Sequence, residues 1–201
     1  MGRRKTHSKE DVLEKAMHLF RENGFAGTSA DMLVERTGVS RYSLYADFGS
    51  LQGLFDEALE LYNDELIDAR FGPMERPGAG LTEIVALLDF YGSAGSGPAA
   101  GLGCLLCNTA VEFGANDPSG NAAVHRYFKR LSAAFRNALN NAQKDGHLLP
   151  NIDLQKEADF MTSVILGAFV MIRAKAAPEV IKNAADAAKE RISSISVDRI
   201  H

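Results

Sequence analysis

Apolar residues recur every three or four positions along most of this chain, which is the spacing of one face of an α-helix. A first helix is predicted from Lys9 to Glu22, with Ser8 as its N-terminal cap and Asn23-Gly24 as its end. Its apolar stripe consists of Val12, Ala16, Leu19 and Phe20. No stretch alternates apolar and polar residues as a half-buried strand would, so the pattern predicts an all-α fold.

Two short helices joined by a tight turn are predicted next. Thr28 is placed as the cap of the first, with Asp31 at the capping-box spacing. Gly38 is positioned to stop that helix, because glycine adopts a left-handed backbone at no steric cost. Ser40 then caps a second helix, from Arg41 to about Phe48. This order predicts a helix-turn-helix, whose second helix can enter the major groove of DNA.

The remainder of the chain predicts a series of further helices separated by glycine and proline. Their expected ranges are 50–69, 81–91, 102–113, 119–144, 154–176 and 178–194. The segment from Phe71-Gly72-Pro73 to Pro77-Gly78 predicts a helix break and a seam between domains. We therefore predict a DNA-binding domain of residues 1–51, a connecting helix of residues 51–69, and a second helical domain of residues 70–201.

The formal net charge of −4 argues by itself against a nucleic-acid partner, but the charge is unevenly distributed. Arg3, Arg4, Lys5 and Lys9 all precede the first acidic residue, Glu10. Beside a helix-turn-helix, such a basic arm is expected to contact phosphates or the minor groove. A solvated tail without function is the alternative.

Apolar runs in the sequence are too short to cross a membrane, which takes roughly 18–20 residues. The N-terminus lacks the apolar stretch of a secretory signal, and two cysteines do not make a disulfide scaffold. These features predict a cytoplasmic protein with no membrane association.

The chain from Phe20 to Leu59 resembles the N-terminal domain of TetR-family repressors, since NGFAGTS, TGVSRYSLYADFGS and LFDEAL occur in the family's order. The resemblance implies a bacterial repressor that forms a homodimer through its last two helices, binds a near-palindromic double-stranded operator and responds to a small-molecule effector. One position departs from the family. Leu51 stands where a lysine usually follows the serine at Ser50, which removes a side chain expected to reach a phosphate.

Candidate DNA contacts lie mostly on the second helix of the helix-turn-helix. Arg41 offers a bidentate donor fork for guanine, and Ala46 an apolar contact for a thymine methyl group. Tyr45 matches a family tyrosine that donates to a phosphate. Thr28 and Ser40 lie at helix N-termini, where backbone amides favour a phosphate. The predicted DNA-binding set is Arg3, Arg4, Lys5, Thr28, Ser40, Arg41, Tyr42, Ser43, Tyr45 and Ala46.

An effector pocket is predicted around Asn108 and Glu112, which lie four residues apart on an otherwise apolar helix. A few converging polar groups among apolar walls are typical of a small-molecule site, here for an apolar or amphipathic effector. The alternative is that Glu112 faces solvent and the aromatic residues form the core. The predicted lining is Phe90, Tyr91, Cys104, Asn108, Glu112, Phe128, Phe135 and Phe169.

Cys104 and Cys107 are predicted to share one helix face, as small core residues. An alternative function is a thiol-based sensor of electrophiles or oxidants that uses Cys104, because the run from Gly103 to Leu106 resembles a TetR subgroup with such members. No second Cys/His pair accompanies the cysteines at metal-binding spacing. The sequence also lacks phosphate-binding, HExxH and GxSxG motifs. We therefore expect no metal, no cofactor, no catalytic residue and no enzymatic activity.

The last two predicted helices carry the features of a subunit interface. Residues 154–176 are apolar around most of the helix, so every side of it must be covered. The last helix adds a stripe of mainly small residues that permits close approach, namely Ile181, Ala184, Ala185, Ala188 and Ile192.

Overall fold

The computed structural model describes residues 8–114 and 121–197, and this part of the chain is helical. A π-helical turn (Asn63–Ile67) follows the fourth helix and a 3₁₀ turn (Ala94–Ser96) the sixth. Among the described residues there is no β-strand, only an isolated bridge between Leu148 and Ser196, so the prediction of an all-α fold is confirmed. The α-helices are α1 (Lys9–Asn23), α2 (Ala30–Thr37), α3 (Arg41–Phe48), α4 (Leu51–Tyr62), α5 (Asp68–Glu75), α6 (Leu81–Ser93), α7 (Leu105–Phe113), α8 (Asn121–Lys144), α9 (Leu154–Arg173) and α10 (Pro178–Ile195).

The chain forms two compact units. The N-terminal unit is built from the described residues of Met1–Leu66 and Leu105–Val124, and the C-terminal unit from those of Ile67–Cys104 and His125–His201. This division differs from the predicted domain boundaries, because α7 packs with the N-terminal unit.

In the N-terminal unit, α1 packs against α4 and α2. Phe20 and Phe55 are fully buried, with an edge-to-face contact of 4.9 Å between ring centroids. Leu33 from α2 and Leu44 from α3 are also buried, which attaches both short helices to this core.

The cap of α2 is Ser29, not Thr28 as predicted. The Ser29 side chain accepts a hydrogen bond from the backbone N–H of Met32. Thr28 is buried, and its hydroxyl donates instead to the carbonyl of Gly24 at 2.6 Å. The prediction was wrong by one residue because the threonine hydroxyl is used within the preceding turn.

The connecting helix departs from its predicted form at two places. It is not a single α-helix from 51 to 69, since the π-helical turn separates α4 from α5. The predicted break from Phe71-Gly72-Pro73 to Pro77-Gly78 is wrong only in its first half, because α5 includes Pro73 and ends at Glu75, after which residues 76–80 are not helical. Burial of Phe71 and Met74 offsets the cost of a proline within the helix.

A side chain from α8 donates hydrogen bonds to carbonyl groups at the end of α5. Asn137 on α8 donates to the carbonyl oxygens of Met74 at 2.7 Å and of Arg76 at 3.3 Å. Such carbonyls have no partner within their own helix, so the amide stabilises a helix end that glycine and proline would otherwise weaken.

In the C-terminal unit, α10 packs closely along α6. A Cβ atom at Gly92 on α6 would lie 3.0 Å from the Cβ atom of Ala185, so these helices approach where one of them has no side chain. Ile181, Ala188 and Ile192 are buried at the same contact side of α10. The predicted small-residue stripe is therefore used largely within this unit. No helix of the described residues has the length and apolar character needed to span a membrane.

Candidate DNA-binding surface and effector-binding residues

The turn between α2 and α3 is held by backbone conformation and capping. Gly38 adopts the left-handed conformation (φ 76°), and its N–H donates to the carbonyl of Val34. The hydroxyl oxygen of Ser40 accepts from the N–H of Ser43 at 3.1 Å, which starts α3. The predicted helix-turn-helix is therefore present.

Burial of one side of α3 presents its other side to solvent. Leu44 and Phe48 are buried, whereas Tyr42 is 83% exposed and Tyr45 is 41% exposed. Ala46 is also exposed, and the hydroxyl of Ser43 lies 3.0 Å from that of Ser40. Large exposed aromatic side chains are uncommon on a surface with no partner, so this face has the character of a binding surface.

Arg41 at the start of α3 is paired with a residue that was not predicted to belong to the site. Its Nη2 atom lies 2.6 Å from the Oδ1 atom of Asp31 on α2. The hydrogen bond that Arg41 donates to this carboxylate raises the pKa of Arg41, so the guanidinium stays charged. The sequence indicates Asp31 only as a capping residue. Its ion pair with Arg41 depends on the geometry of the turn between α2 and α3.

The other residues considered for DNA contact differ in their exposure. The side chain of Thr28 is buried, so its predicted phosphate contact does not fit, and the exposed Ser29 occupies the helix N-terminus instead. Leu51 is half-buried in the first turn of α4. Arg3, Arg4 and Lys5 lie outside the described residues.

Aromatic residues of the predicted effector site meet in the core of the C-terminal unit. Tyr91 and Phe169 are buried and in edge-to-face contact at 4.8 Å. Phe71 joins them, with its ring centroid 6.3 Å from that of Tyr91, and Tyr127 lies 6.4 Å beyond Phe71. Sequence reasoning missed both, because aromatic residues on an amphipathic helix indicate core as readily as a pocket.

The other predicted pocket residues of this unit differ in their burial. Phe135 is fully buried, and Phe128 is half-buried with its ring 5.6 Å from that of Tyr127. Phe90 is exposed instead, and the guanidinium of Arg70 lies 3.7 Å from the centroid of its ring.

Glu112 and Asn108 belong to the N-terminal unit. The carboxylate of Glu112 accepts hydrogen bonds from the backbone N–H groups of Phe25 at 3.0 Å and Ala26 at 2.6 Å. The prediction that Glu112 lines the effector pocket is therefore wrong for this arrangement, because these amides occupy its charged end. Asn108 is half-buried one turn earlier on α7.

The cysteines do not share a helix face, because Cys104 precedes the first residue of α7. Cys104 is fully buried and its thiol donates to the Tyr127 hydroxyl at 3.7 Å, while Cys107 is buried and neither cysteine forms a disulfide. Sensor thiols are exposed and surrounded by positive charge, so the thiol-sensor alternative is not favoured. Within residues 8–114 and 121–197, no group of three His, Cys, Asp or Glu side chains could hold a metal ion.

A capped helix-turn-helix with an exposed second helix, together with a separate helical unit containing an aromatic core, defines a helix-turn-helix transcriptional regulator. Comparison with known families agrees. Residues 12–58 match the model of bacterial regulatory proteins of the tetR family, and residues 80–188 match that of the tetracyclin repressor-like C-terminal domain. The chain belongs to the TetR family of transcriptional regulators. It is a DNA-binding regulator and not an enzyme, as predicted.

Individual relatives extend over most of the chain. The HTH-type transcriptional regulator YezE of Bacillus subtilis is 31% identical over 148 residues, which cover 74% of this chain and 76% of that protein. The HTH-type transcriptional repressor ComR of Escherichia coli is 28% identical over 187 residues, or 89% and 85% of the two chains. A solved structure of a cysteine mutant of the TetR-family regulator CifR, complexed with 26-bp double-strand operator DNA, has a TM-score of 0.80 at 25% identity and covers 93% of this chain and 97% of that one.

Proposed function

We propose that this protein is a cytoplasmic repressor that binds a near-palindromic operator as a homodimer and is released by a small apolar or amphipathic effector. The observation that carries the proposal is the exposed face of α3, where Tyr42 and Arg41 project from a rigidly capped helix. The similarity to ComR, described as a repressor, and to a regulator complexed with operator DNA supports it.

Direct readout of the operator is assigned to the N-terminal half of α3. Arg41 provides paired donors for a guanine, and Tyr42 is the most exposed large apolar side chain of the described residues. Ser29 and Ser40 place the N-termini of α2 and α3 toward phosphates, and Tyr45 adds a hydroxyl donor.

Dimer formation is assigned to the outer sides of α9 and α10. On α9, Phe160 and Val170 are exposed, and no neighbouring atom lies within 4 Å of a Cβ atom built on Gly167. On α10, Val180 is exposed as well. Exposed apolar side chains on two long helices favour a helix-packing interface with a second copy. A two-fold dimer is suited to half-sites roughly 34–36 Å apart.

The effector is assigned to the aromatic core of the C-terminal unit. The rings of Phe71, Tyr91, Tyr127 and Phe169 favour an apolar or amphipathic molecule, with the two tyrosine hydroxyls as polar contacts. An effector with higher affinity for the conformer that does not bind DNA would release the operator, because ligand and DNA then favour different states.

The test is fluorescence anisotropy of the protein on DNA from upstream of its own gene, titrated with salt and compared with a scrambled duplex of the same composition. We expect tight binding to the upstream DNA and weak binding to the scrambled duplex. Arg41→Ala should reduce binding to the upstream DNA more than binding to the scrambled duplex. Equal weak binding by the wild-type protein, repeated across a promoter library, would refute sequence-specific regulation.

Effector release is tested with the same assay and a panel of apolar and amphipathic compounds. A compound that lowers operator anisotropy should lose its effect when Phe169→Ala removes one ring, whereas Leu149→Ala, at an exposed apolar position of the C-terminal unit, serves as the control. Equal sensitivity of both variants would contradict the assignment of the effector to the aromatic core.

A further inference from the structure

The carboxylate of Glu112 is bound by two successive backbone amides of the turn between α1 and α2. Its Oε2 atom accepts from Phe25 N–H at 3.0 Å and its Oε1 atom from Ala26 N–H at 2.6 Å. Both oxygens of one side chain are therefore committed to one turn. Hydrogen bonds to a charged acceptor are stronger than neutral ones, so this contact restrains the turn more than a typical loop contact would.

The turn is shaped to receive this carboxylate. Gly24 has φ 77°, a conformation that favours glycine, and a Cβ atom there would lie 2.6 Å from Oε2 of Glu112. The carbonyl oxygen of Gly24 accepts a hydrogen bond from the Thr28 hydroxyl, and the N–H of Gly24 donates to the carbonyl oxygen of Phe20. Absence of a side chain at position 24 thus permits the approach of Glu112 from α7.

Aromatic packing reinforces the same contact. The ring of Phe113, the last residue of α7, lies 5.5 Å from that of Phe25 and 5.8 Å from that of Phe55. Phe55 in turn contacts Phe20 in the core of the N-terminal unit. The C-terminal end of α7 is consequently attached to the turn by a charged group and to the core beneath it by a ring.

We propose that Glu112 is a positioning residue for DNA binding, which holds the turn that leads into the helix-turn-helix. Ser29, the cap of α2, follows Ala26 by only three residues, so the restrained turn determines how α2 begins. The inference rests on the proposed function, because positioning is defined here by operator binding.

The test replaces Glu112 by glutamine, which keeps the size of the side chain but removes the charge and leaves only one acceptor oxygen. Val111→Ala, at the neighbouring 77% exposed position on α7, is the matched control. Amide hydrogen exchange of Phe25 and Ala26 is measured by NMR, and affinity for upstream and scrambled DNA by anisotropy. Circular dichroism at the assay temperature confirms that each variant is folded, and a thermal melt supplies a second comparison of stability.

We expect E112Q to accelerate exchange of both amides and to weaken binding to the upstream DNA roughly five- to tenfold, with binding to the scrambled duplex unchanged. V111A should match the wild type. Unchanged exchange and affinity would overturn the proposal, and so would faster exchange with unchanged affinity. A proportional loss on both duplexes would indicate general loosening and overturn it too. Failure of the wild-type protein to distinguish the duplexes would instead refute the proposed function.

Discussion

Arg41 and Asp31 are joined across the turn of the helix-turn-helix, with 2.6 Å between Nη2 and Oδ1. Both side chains are largely exposed, so the pair adds little to folding stability. The ion pair instead affects how the protein recognises DNA. A guanidinium held at the start of α3 loses less conformational freedom when it binds a base than one that moves freely. The negative charge of Asp31 also repels DNA phosphates. Arg41 beside it is therefore favoured to contact the DNA at one position only.

Removal of Asp31 should therefore reduce discrimination between DNA sequences. In Asp31→Ala, binding to scrambled DNA should become tighter because a negative charge is lost, while binding to the operator gains less because Arg41 is no longer oriented. The measurement is the ratio of the two dissociation constants. Glu35→Ala removes the same charge from an exposed position on the same helix and should change both constants equally. An equal change in D31A would show that Asp31 acts only through its charge.

Introduction of a lysine at position 51 should restore a phosphate contact. Leu51 is half-buried in the first turn of α4, and a longer side chain there can extend to solvent. Leu51→Lys should tighten binding to operator and scrambled DNA alike and steepen the dependence of log K on log salt by about 0.9 for each phosphate contacted. Val197→Lys adds the same charge at an exposed position of the C-terminal unit. If L51K and V197K have the same slope, the added charge acts only at long range.

Neutralising the basic arm should weaken binding and flatten the salt dependence. Arg3, Arg4 and Lys5 carry three positive charges before the first helix. Replacing all three by glutamine preserves the length of the chain, so any effect follows from charge. We expect lower affinity and a slope reduced by about 0.9 per lost phosphate contact. An unchanged slope would show that the arm does not touch DNA.

A charge on the outer side of α9 should prevent dimer formation. Val170 is 53% exposed in a single chain, and a carboxylate there would lack a partner once a second copy covered it. Val170→Glu should sediment as a monomer and lose tight operator binding, whereas Val197→Glu should behave as the wild type. A V170E protein that remains dimeric would place the interface elsewhere.

Breaking the ion pair between α9 and α10 should reduce stability without affecting DNA recognition directly. Glu157 is only 4% exposed, and the guanidinium of Arg191 donates to both of its oxygens. Arg191→Ala leaves a buried carboxylate without this partner, so the free energy of unfolding should fall by about 1–2 kcal/mol, the lower part of the range because the arginine is half-exposed. Urea unfolding measures the change. Lys182→Ala, which removes a surface pair with Asp186, should change it by far less.

The helix-turn-helix could be predicted from sequence because its signals act over a few residues. Gly38 and Ser40 determine the turn through backbone conformation and a hydrogen bond three residues away, and Leu44 and Phe48 follow the helical period. The exposed face of α3 follows from the same helical period, so the sequence alone indicates the candidate DNA contacts on that face.

Contacts between distant residues could not be predicted in this way. Ser29 was overlooked as a cap because the Thr28 hydroxyl is used by the turn, and Pro73 remains helical because buried side chains compensate. Glu112 was assigned to a pocket because only its position on α7 was visible, whereas its partners, Phe25 and Ala26, lie far earlier in the chain. Tyr127 was missed for a similar reason, since nothing local marks its approach to Cys104.

The close approach of Gly92 and Ala185 has an evolutionary consequence. Because the inner side of α10 is committed to α6, substitutions on that side are constrained by the fold. The outer side of α10 is not constrained by packing against α6. If that outer side forms the proposed dimer interface, related regulators in one cell can diverge along it and avoid exchanging subunits, while each retains the same internal architecture.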